Sequence, residues 1–254
     1  THCISSAASD VYKRQLLSLN QAPFMAEYYR EAYEITKNSD ALLVNLGTLN
    51  ETKLMGIKQA LKSAKDNDTP IILDPVGASA TKIRLDTSLY YLSKYPINIL
   101  KGNYSELYSI YHKELTTRGV DSSNINKDEL IKISRKLSTM YNTIVLATGK
   151  EDIISYKDET LLLKNGSTYL TKVTGTGCML GAIIAACSSF QMSIESVALA
   201  VSIMNIAGEE ADKSRGMASF KISLLDEISL ISKEKIKERT IYERLWFKLI
   251  LSYK

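Results

Sequence analysis

The sequence predicts an α/β fold, with a mostly parallel central sheet and helices on both of its faces. Three observations predict it. Short apolar runs alternate with amphipathic stretches from about residue 41 onwards. Those runs are apolar throughout instead of alternating with polar residues, the pattern of strands covered on both sides. Each run also stops at a polar turn, most of them glycine-containing. At 254 residues the chain can bury a substantial core. It carries no internal repeat and no linker rich in Pro, Gly or Ser, so residues 1–254 read as a single domain.

Taken in order, Ala41-Leu-Leu-Val-Asn-Leu46 is the first clear strand, ending at Gly47-Thr48, with an amphipathic helix from Asn50 to Lys65 behind it. Pro70 closes that unit. Ile71-Ile-Leu73 is a second strand, stopped by Asp74-Pro-Val-Gly77, and a helical segment covers Asp86 to Lys94. Ile97 to Leu100 makes the third strand, ending in Lys101-Gly-Asn103. A helix from Asn126 or Lys127 to Met140 precedes Thr143-Ile-Val-Leu-Ala147, the fourth strand, which ends in Thr148-Gly149. The runs 152–156, 160–164 and 168–171 read as small strands beside the main sheet. Beyond Thr176 the pattern is helical almost to the end, with Ser193 as N-cap of a helix through Ala211.

Composition narrows the functional classes. The net charge of +4 comes from 32 basic and 28 acidic side chains, too small and scattered an excess for a nucleic-acid partner. Two histidines, His2 and His112, exclude a multi-histidine metal centre, so a bound metal would rest on carboxylates and phosphates. Three cysteines without a Cys-x-x-Cys pair argue against a disulfide framework or structural zinc and fit a reducing cytoplasm. No apolar run reaches the ~18 residues of a membrane span, and no signal peptide is visible. A first residue of Thr reads as a fragment or a processed chain.

The most informative segment is Lys172-Val-Thr-Gly-Thr-Gly-Cys-Met-Leu-Gly181, which opens into an alanine-rich apolar helix. Its glycines permit a sharp turn and close approach to a ligand, and a helix start offers unpaired N–H groups to an anion. Gly175-Thr-Gly177 is therefore either an anion cradle or a structural turn. Cys178 at the mouth of the helix is a general base, a nucleophile or a small packed residue. Ligands of open α/β sheets gather at the carboxyl ends of the strands. That rule selects Asn45-Leu-Gly-Thr48, Asp74-Pro-Val-Gly77, Lys101-Gly-Asn103 and Thr148-Gly149. Asp74 and Glu106 together could hold Mg²⁺, directly or through water, or each could be a turn or helix-start acid. Lys101 either reaches a nucleotide phosphate or lies on the surface, and Thr148 either binds phosphate or caps a turn. Neither a Walker A loop nor a Rossmann fingerprint opening the first βα unit is present. Cys187, inside an apolar helix, reads as packing.

Several motifs occur in a specific order: Asn45-Leu-Gly-Thr-Leu49, Leu73-Asp-Pro-Val-Gly-Ala78 with Thr81 and Arg84, Lys101-Gly-Asn-x-x-Glu106, Gly119-Val-Asp-Ser122, Ala147-Thr-Gly149 and Thr171-Lys-Val-Thr-Gly-Thr-Gly-Cys178. Gly216-x-x-Ser-Phe220 and Leu224-Leu-Asp226 extend the series. Across roughly residues 16–232 the chain resembles the hydroxyethylthiazole kinases, ribokinase-like enzymes of thiamine salvage. Its cysteine after Gly-Thr-Gly is telling, because most ribokinase-like kinases resemble one another in having aspartate there.

That resemblance implies a ribokinase-like three-layer fold. It also implies ATP- and Mg²⁺-dependent phosphorylation of the primary alcohol of 4-methyl-5-(2-hydroxyethyl)thiazole. By motif, Cys178 takes the position of the base near the substrate hydroxyl, and Gly175, Thr176 and Gly177 with Cys178 supply the anion hole. Met25 and Gly175 match thiazole contacts, Lys101 and Thr148 match ATP contacts, and Asp74 and Glu106 match the magnesium-organising acids. A cytoplasmic homotrimer with sites between subunits, acting without nucleic acid or membrane, is implied as well. The rival readings are a hydroxymethylpyrimidine-type small-alcohol kinase and a non-catalytic nucleotide- or thiazole-binding protein.

Two segments depart from the family pattern. Residues 1–15 form an atypical N-terminus, where Ser5 to Gln15 read as foreign sequence or as divergence. Residues 233–254 read as an atypical C-terminal amphipathic helix.

Overall fold

A computed structural model describes residues 2–5, 22–25, 28–115, 126–211, 213 and 216–246. The N-terminal segment 6–15 and the Gly119–Ser122 motif lie outside the described residues.

Strands β1 (His2–Ser5), β2 (Ala22–Met25), β3 (Ala41–Asn45), β4 (Ile71–Asp74), β5 (Ile99–Asn103) and β6 (Ile144–Thr148) run parallel. Strands β7 (Asp152–Tyr156), β8 (Glu159–Leu163) and β9 (Tyr242–Trp246) extend the sheet antiparallel, giving the order β2-β1-β3-β4-β5-β6-β7-β8-β9. The expected parallel sheet is therefore present, with an antiparallel flank where the short runs after Gly149 were read.

The three layers follow from the pleat, which sends successive side chains to opposite faces. Leu42 and Val44 enter one core with Leu73 and Leu100, while Leu43 enters the other with Ile72 and Ile99. The first core is covered by α1 (Tyr29–Lys37), α2 (Glu51–Asp66), α3 (Lys82–Lys94), α4 (Tyr104–His112) and α5 (Lys127–Tyr141). The second lies beneath α7 (Thr176–Phe190), α8 (Ile194–Glu210) and α9 (Met217–Leu230). Every residue of β3 is buried, which is why its sequence does not alternate.

Local caps set the helix ends. Asn50 accepts from Lys53 N at 2.8 Å to start α2, and Ser193 forms a reciprocal cap with Ser196 to start α8. Helix α3 begins at Lys82, a turn earlier than its amphipathic core suggests.

Two expectations are corrected. The run 168–171 is not a strand: Tyr169–Lys172 forms a one-turn helix, α6. Ser167 Oγ accepts from Tyr169 N, and Thr171 Oγ1 donates to Thr168 O at 2.8 Å, so side chains close a turn in place of a ladder. Nor does the C-terminal segment continue as one helix. Helix α10 (Lys233–Arg239) stops where Thr240 Oγ1 donates back to Ile236 O, and the chain then enters β9 beside β8. Pairing against an otherwise open edge, with β-branched and aromatic residues in Thr240-Ile-Tyr242, outweighs the helical charge pattern of 233–239.

Candidate active site

The parallel strands β3, β4, β5 and β6 bring Asn45, Asp74, Asn103 and Thr148 to one rim, where the N-terminus of α7 meets them. In register, Asn45 stands opposite Asp74 and Asn103 opposite Thr148.

Gly175 is the N-cap of α7 and has φ 99°, a left-handed conformation that a side chain would strain. The helix's first bond into this turn is Met179 N to Gly175 O at 2.9 Å. The amides of Thr176, Gly177 and Cys178 thus belong to the open first turn, where a helix directs its positive end. Thr176 Oγ1 donates to Leu170 O at 2.6 Å and contacts Val173 O at 3.1 Å, so the hydroxyl shapes the loop from behind.

Beneath this turn lies a buried charge cluster. Lys101 Nζ donates to Asp74 Oδ2 at 3.0 Å, with side-chain exposures of 5% and 1%. Lys101 is therefore no surface lysine. A Cβ added to Gly177 would stand 3.3 Å from that ammonium, which fixes how closely Lys101 approaches the loop. Asn45 Nδ2 donates to Asp74 Oδ2 at 2.9 Å and to Cys178 Sγ at 3.1 Å. Glu106 is buried as well: Oε1 accepts from Gly77 N and Oε2 from Asn103 N, both at 2.8 Å, in a capping box that starts α4. Arg84 donates to Leu46 O and Val76 O, tying together the turns after β3 and β4.

Burial pushes the Asp74 carboxyl up from its ordinary value, while Lys101 and Asn45 pull it back. Glu106 is raised by burial first and by Asp74 second, against Lys101 and two backbone amides. For Lys101 burial favours the neutral amine, yet Asp74, Glu106 and Cys178 together outweigh it and hold the ammonium. We read the pair as an ammonium facing a carboxylate.

Asp74 Oδ1 is buried without a hydrogen-bond partner, whereas Oδ2 carries the contacts to Lys101 and Asn45. Among the described residues, no three His, Cys, Asp or Glu side chains gather to hold a metal. The unpartnered oxygen is an acceptor that a hard cation or its water would satisfy. Cys187 is different in kind: burial raises its thiol to about 12, and it packs in the α7 core as read.

Thr148 Oγ1 lies 3.4 Å from Gly102 O at the end of β6, on the same rim. Met25 ends β2, half-buried at the edge of the sheet and in register with Ser5, apart from the cluster around Asp74. Asn45 and Arg84 were not singled out by chemistry in the sequence, although both lie in the motifs after β3 and β4. The signal was Asn45's place as the last residue of a buried strand.

This architecture, with a glycine-capped helix start over a buried Lys–Asp pair, defines the class: a ribokinase-like kinase. The solved hydroxyethylthiazole kinase of Pyrococcus horikoshii superposes with a TM-score of 0.87 at 29% identity, covering 96% of this chain and 93% of that one. The Staphylococcus aureus pyridoxal kinase bound to pyridoxal shares the fold at a TM-score of 0.64, with 16% identity over 85% and 90% of the two chains. The hydroxyethylthiazole kinase family matches residues 1–234. Hydroxyethylthiazole kinase of Finegoldia magna is 44% identical over 238 residues, 93% of this chain and 88% of its own length. Hydroxyethylthiazole kinase 2 of Clostridium botulinum is 40% identical over 94% and 91%. The chain belongs to the hydroxyethylthiazole kinase family and is a phosphotransferase.

Proposed function

We propose that this chain transfers the γ-phosphoryl group of ATP to the primary hydroxyl of 4-methyl-5-(2-hydroxyethyl)thiazole in thiamine salvage. The observation that carries the reading is the buried Lys101 ammonium between Asp74 and the Gly177 turn, with Cys178 in the same cluster. A fixed cation and open amides at one point suit the charge that accumulates on a transferring phosphoryl group.

Each residue then has a part. The Gly175, Thr176, Gly177 and Cys178 amides receive the phosphoryl oxygens, and Lys101 offsets the charge of the nucleotide phosphates. Thr148, on the neighbouring strand end, contacts ATP. The alcohol oxygen attacks the γ-phosphorus while the bond to ADP breaks, and Cys178, at the position of the base, takes up the hydroxyl proton as its thiolate. Such transition states are loose, so alignment of the hydroxyl matters more than a strong base. Asp74, through its orphan oxygen, and Glu106 would hold Mg²⁺ through water; when bound, it supplies neutralisation of the phosphate charge.

Met25 and Gly175 face the thiazole in this reading. Met25 ends an edge strand that also carries exposed Phe24, an apolar margin suited to a neighbouring subunit. That margin supports a homotrimer with sites between subunits. One sheet running from β2 to β9 supports a single kinase domain. No described helix is long and apolar enough to cross a membrane, which together with the cysteine usage supports a cytoplasmic site of action.

The test is ATP consumption with the thiazole alcohol, with hydroxymethylpyrimidine, and without acceptor. Turnover with the thiazole alcohol is expected. Turnover with hydroxymethylpyrimidine alone would overturn the substrate, and nucleotide binding without any turnover would favour a binding protein.

A further inference from the structure

Beside the strand end that carries Thr148, the turn 149–152 is held from two directions. On one side the Tyr104 ring lies against Gly149 so closely that an added Cβ would meet it at 2.5 Å, and Tyr104 Oη donates to Glu151 O at 2.6 Å. Only glycine fits there. On the other side the buried Asp152 carboxylate accepts from Gly149 N at 3.1 Å through Oδ1 and from Asn205 Nδ2 at 2.7 Å through Oδ2. Asn205, on α8, is itself oriented: the same Nδ2 donates to Asn165 O at 2.9 Å. Asn165 Nδ2 contacts both Glu209 carboxylate oxygens and donates to Arg239 O, while its Oδ1 accepts from Ile241 N at 2.7 Å. Glu209 accepts from Gly166 N at 2.7 Å and pairs with Arg239.

A buried carboxylate without a cation at contact distance is costly unless its oxygens are occupied. Here both are, and one of the two donors is the amide next to Thr148. Nothing in the phosphoryl-transfer chemistry requires this arrangement, so its consequence lies in where it holds the turn.

We propose that Asp152 is a positioning residue for the nucleotide: through the Gly149 amide it fixes the Thr148–Gly149 turn, and through Asn205 and Asn165 it braces that turn against α8 and the segment that leads from α10 into β9. The inference rests on the reading of Thr148 as an ATP contact. The carboxylate form is required, because only two acceptor oxygens satisfy both donors. An amide in its place accepts from one and sets an N–H against the other. Burial pushes the Asp152 carboxyl up to about 6, against Asn205, Gly149 and Lys101, so the brace weakens as pH falls through that value. The charged and titratable groups around it are Lys101 on β5, Tyr104 on α4, Glu151 in the turn and Glu209 beyond Asn205.

The experiment measures binding of a non-hydrolysable ATP analogue and steady-state kinetics of wild type, Asp152→Asn, Asn205→Ala and Leu224→Ala. The last removes a core side chain of α9, which makes none of the hydrogen bonds that hold the turn, and serves as a destabilised control. Asp152→Asn should weaken the analogue's Kd and raise KM for ATP by ~10-fold, with kcat and KM for the thiazole alcohol changed less than ~3-fold. Asn205→Ala should move the same constants in the same direction and carries the test if Asp152→Asn does not fold. The ratio of variant to wild-type Kd should be largest at pH 8 and shrink below pH 6, a comparison in which the analogue's own titration cancels. Leu224→Ala should lower the melting temperature and leave Kd unchanged. Wild-type nucleotide affinity in both folded turn variants, or a ratio flat across pH, overturns the inference alone. A wild type that binds no nucleotide overturns the kinase reading and the inference with it.

Discussion

Asn45 Nδ2 reaches Cys178 Sγ at 3.1 Å across 133 residues of chain, while its Oδ1 is occupied by Gly47 N at 2.8 Å. The second bond fixes which end of the amide faces the sulphur: Asn45 donates and Cys178 accepts. The same nitrogen donates to Asp74, so one amide orients both the thiol and the carboxylate.

Exchange of Cys178 for aspartate preserves this arrangement, since a carboxylate accepts the same N–H. Cys178→Asp should therefore retain kinase activity. Asn45→Asp removes the donor and sets a carboxylate beside Asp74, so kcat should fall by ~100-fold, the cost of a misaligned reacting group. Steady-state assays with thermal melts decide it. A folded Cys178→Asp protein without activity, or an unimpaired Asn45→Asp protein, would contradict the assignment.

Lys101 invites a second prediction. Its ammonium is the cation among Asp74, Glu106 and Cys178, and the Asp74 pair is almost wholly screened from water. Lys101→Met leaves two buried acids uncompensated and should destabilise the fold by ~3–5 kcal/mol. Converting Asp74 to Asn in the same chain removes one of those acids, so the double variant should be more stable than Lys101→Met alone. Urea midpoints of wild type, Lys101→Met, Asp74→Asn and the double variant test this. Additive losses would mean that the pair is not coupled.

Asp152 yields a prediction about stability with a sign opposite to its effect on the nucleotide. Burial lifts its carboxyl from 3.8 to about 6 in the folded protein. Between those values the folded state holds the proton and the unfolded chain does not. This group's contribution to stability is thus fully present below 3.8 and is lost as pH rises through about 6. Asp152→Asn has no such proton. Its stability relative to wild type should rise by about 1 kcal/mol or more between pH 5 and pH 7, within a total on the order of 3 kcal/mol for a shift of this size. Denaturant titrations at the two pH values measure it. A relative stability that does not change with pH would mean that Asp152 titrates at its ordinary value in the folded state.

How far the sequence carried each of these residues depends on range. Asn45, Asp74 and Thr148 were legible as strand ends because a buried parallel strand writes itself as an apolar run and stops at a polar residue. Lys101 follows such a run as well, but β5 continues through it to Asn103. Gly175 to Cys178 was legible as a helix start because glycine before an alanine-rich run has few other uses. What could not be read was burial of charge. Nothing local distinguishes a lysine paired beneath a helix from one in solvent. Asp152 was invisible for the same reason, since its partners Asn205 and Asn165 come from a helix and a loop remote in sequence and carry no motif of their own.

The C-terminal strand was misread through range as well, and it supplies the last prediction. Lys233–Arg239 is helical, and its charge pattern hides the change of period at Thr240. From there β9 pairs with β8 over Glu159–Trp246 to Leu163–Tyr242, which covers the backbone of an otherwise open edge. Arg244 pairs with Glu159 and Glu195, each at 2.9 Å, while Arg135 bridges Thr160 Oγ1 and Leu245 O. The surface ion pairs are worth little, but the ladder and the packing of Leu245 against the core are not. Leu245→Asp should therefore destabilise the fold by about 2 kcal/mol and promote aggregation through the exposed β8 edge. Arg244→Ala should change stability by less than about 1 kcal/mol. Because the site lies at the carboxyl ends of β3 to β6, the folded fraction of both variants should keep its KM for ATP. Thermal melts with light scattering, followed by kinetics below the transition, check both halves. A Leu245→Asp protein as stable and soluble as wild type would mean that β9 contributes nothing to the sheet.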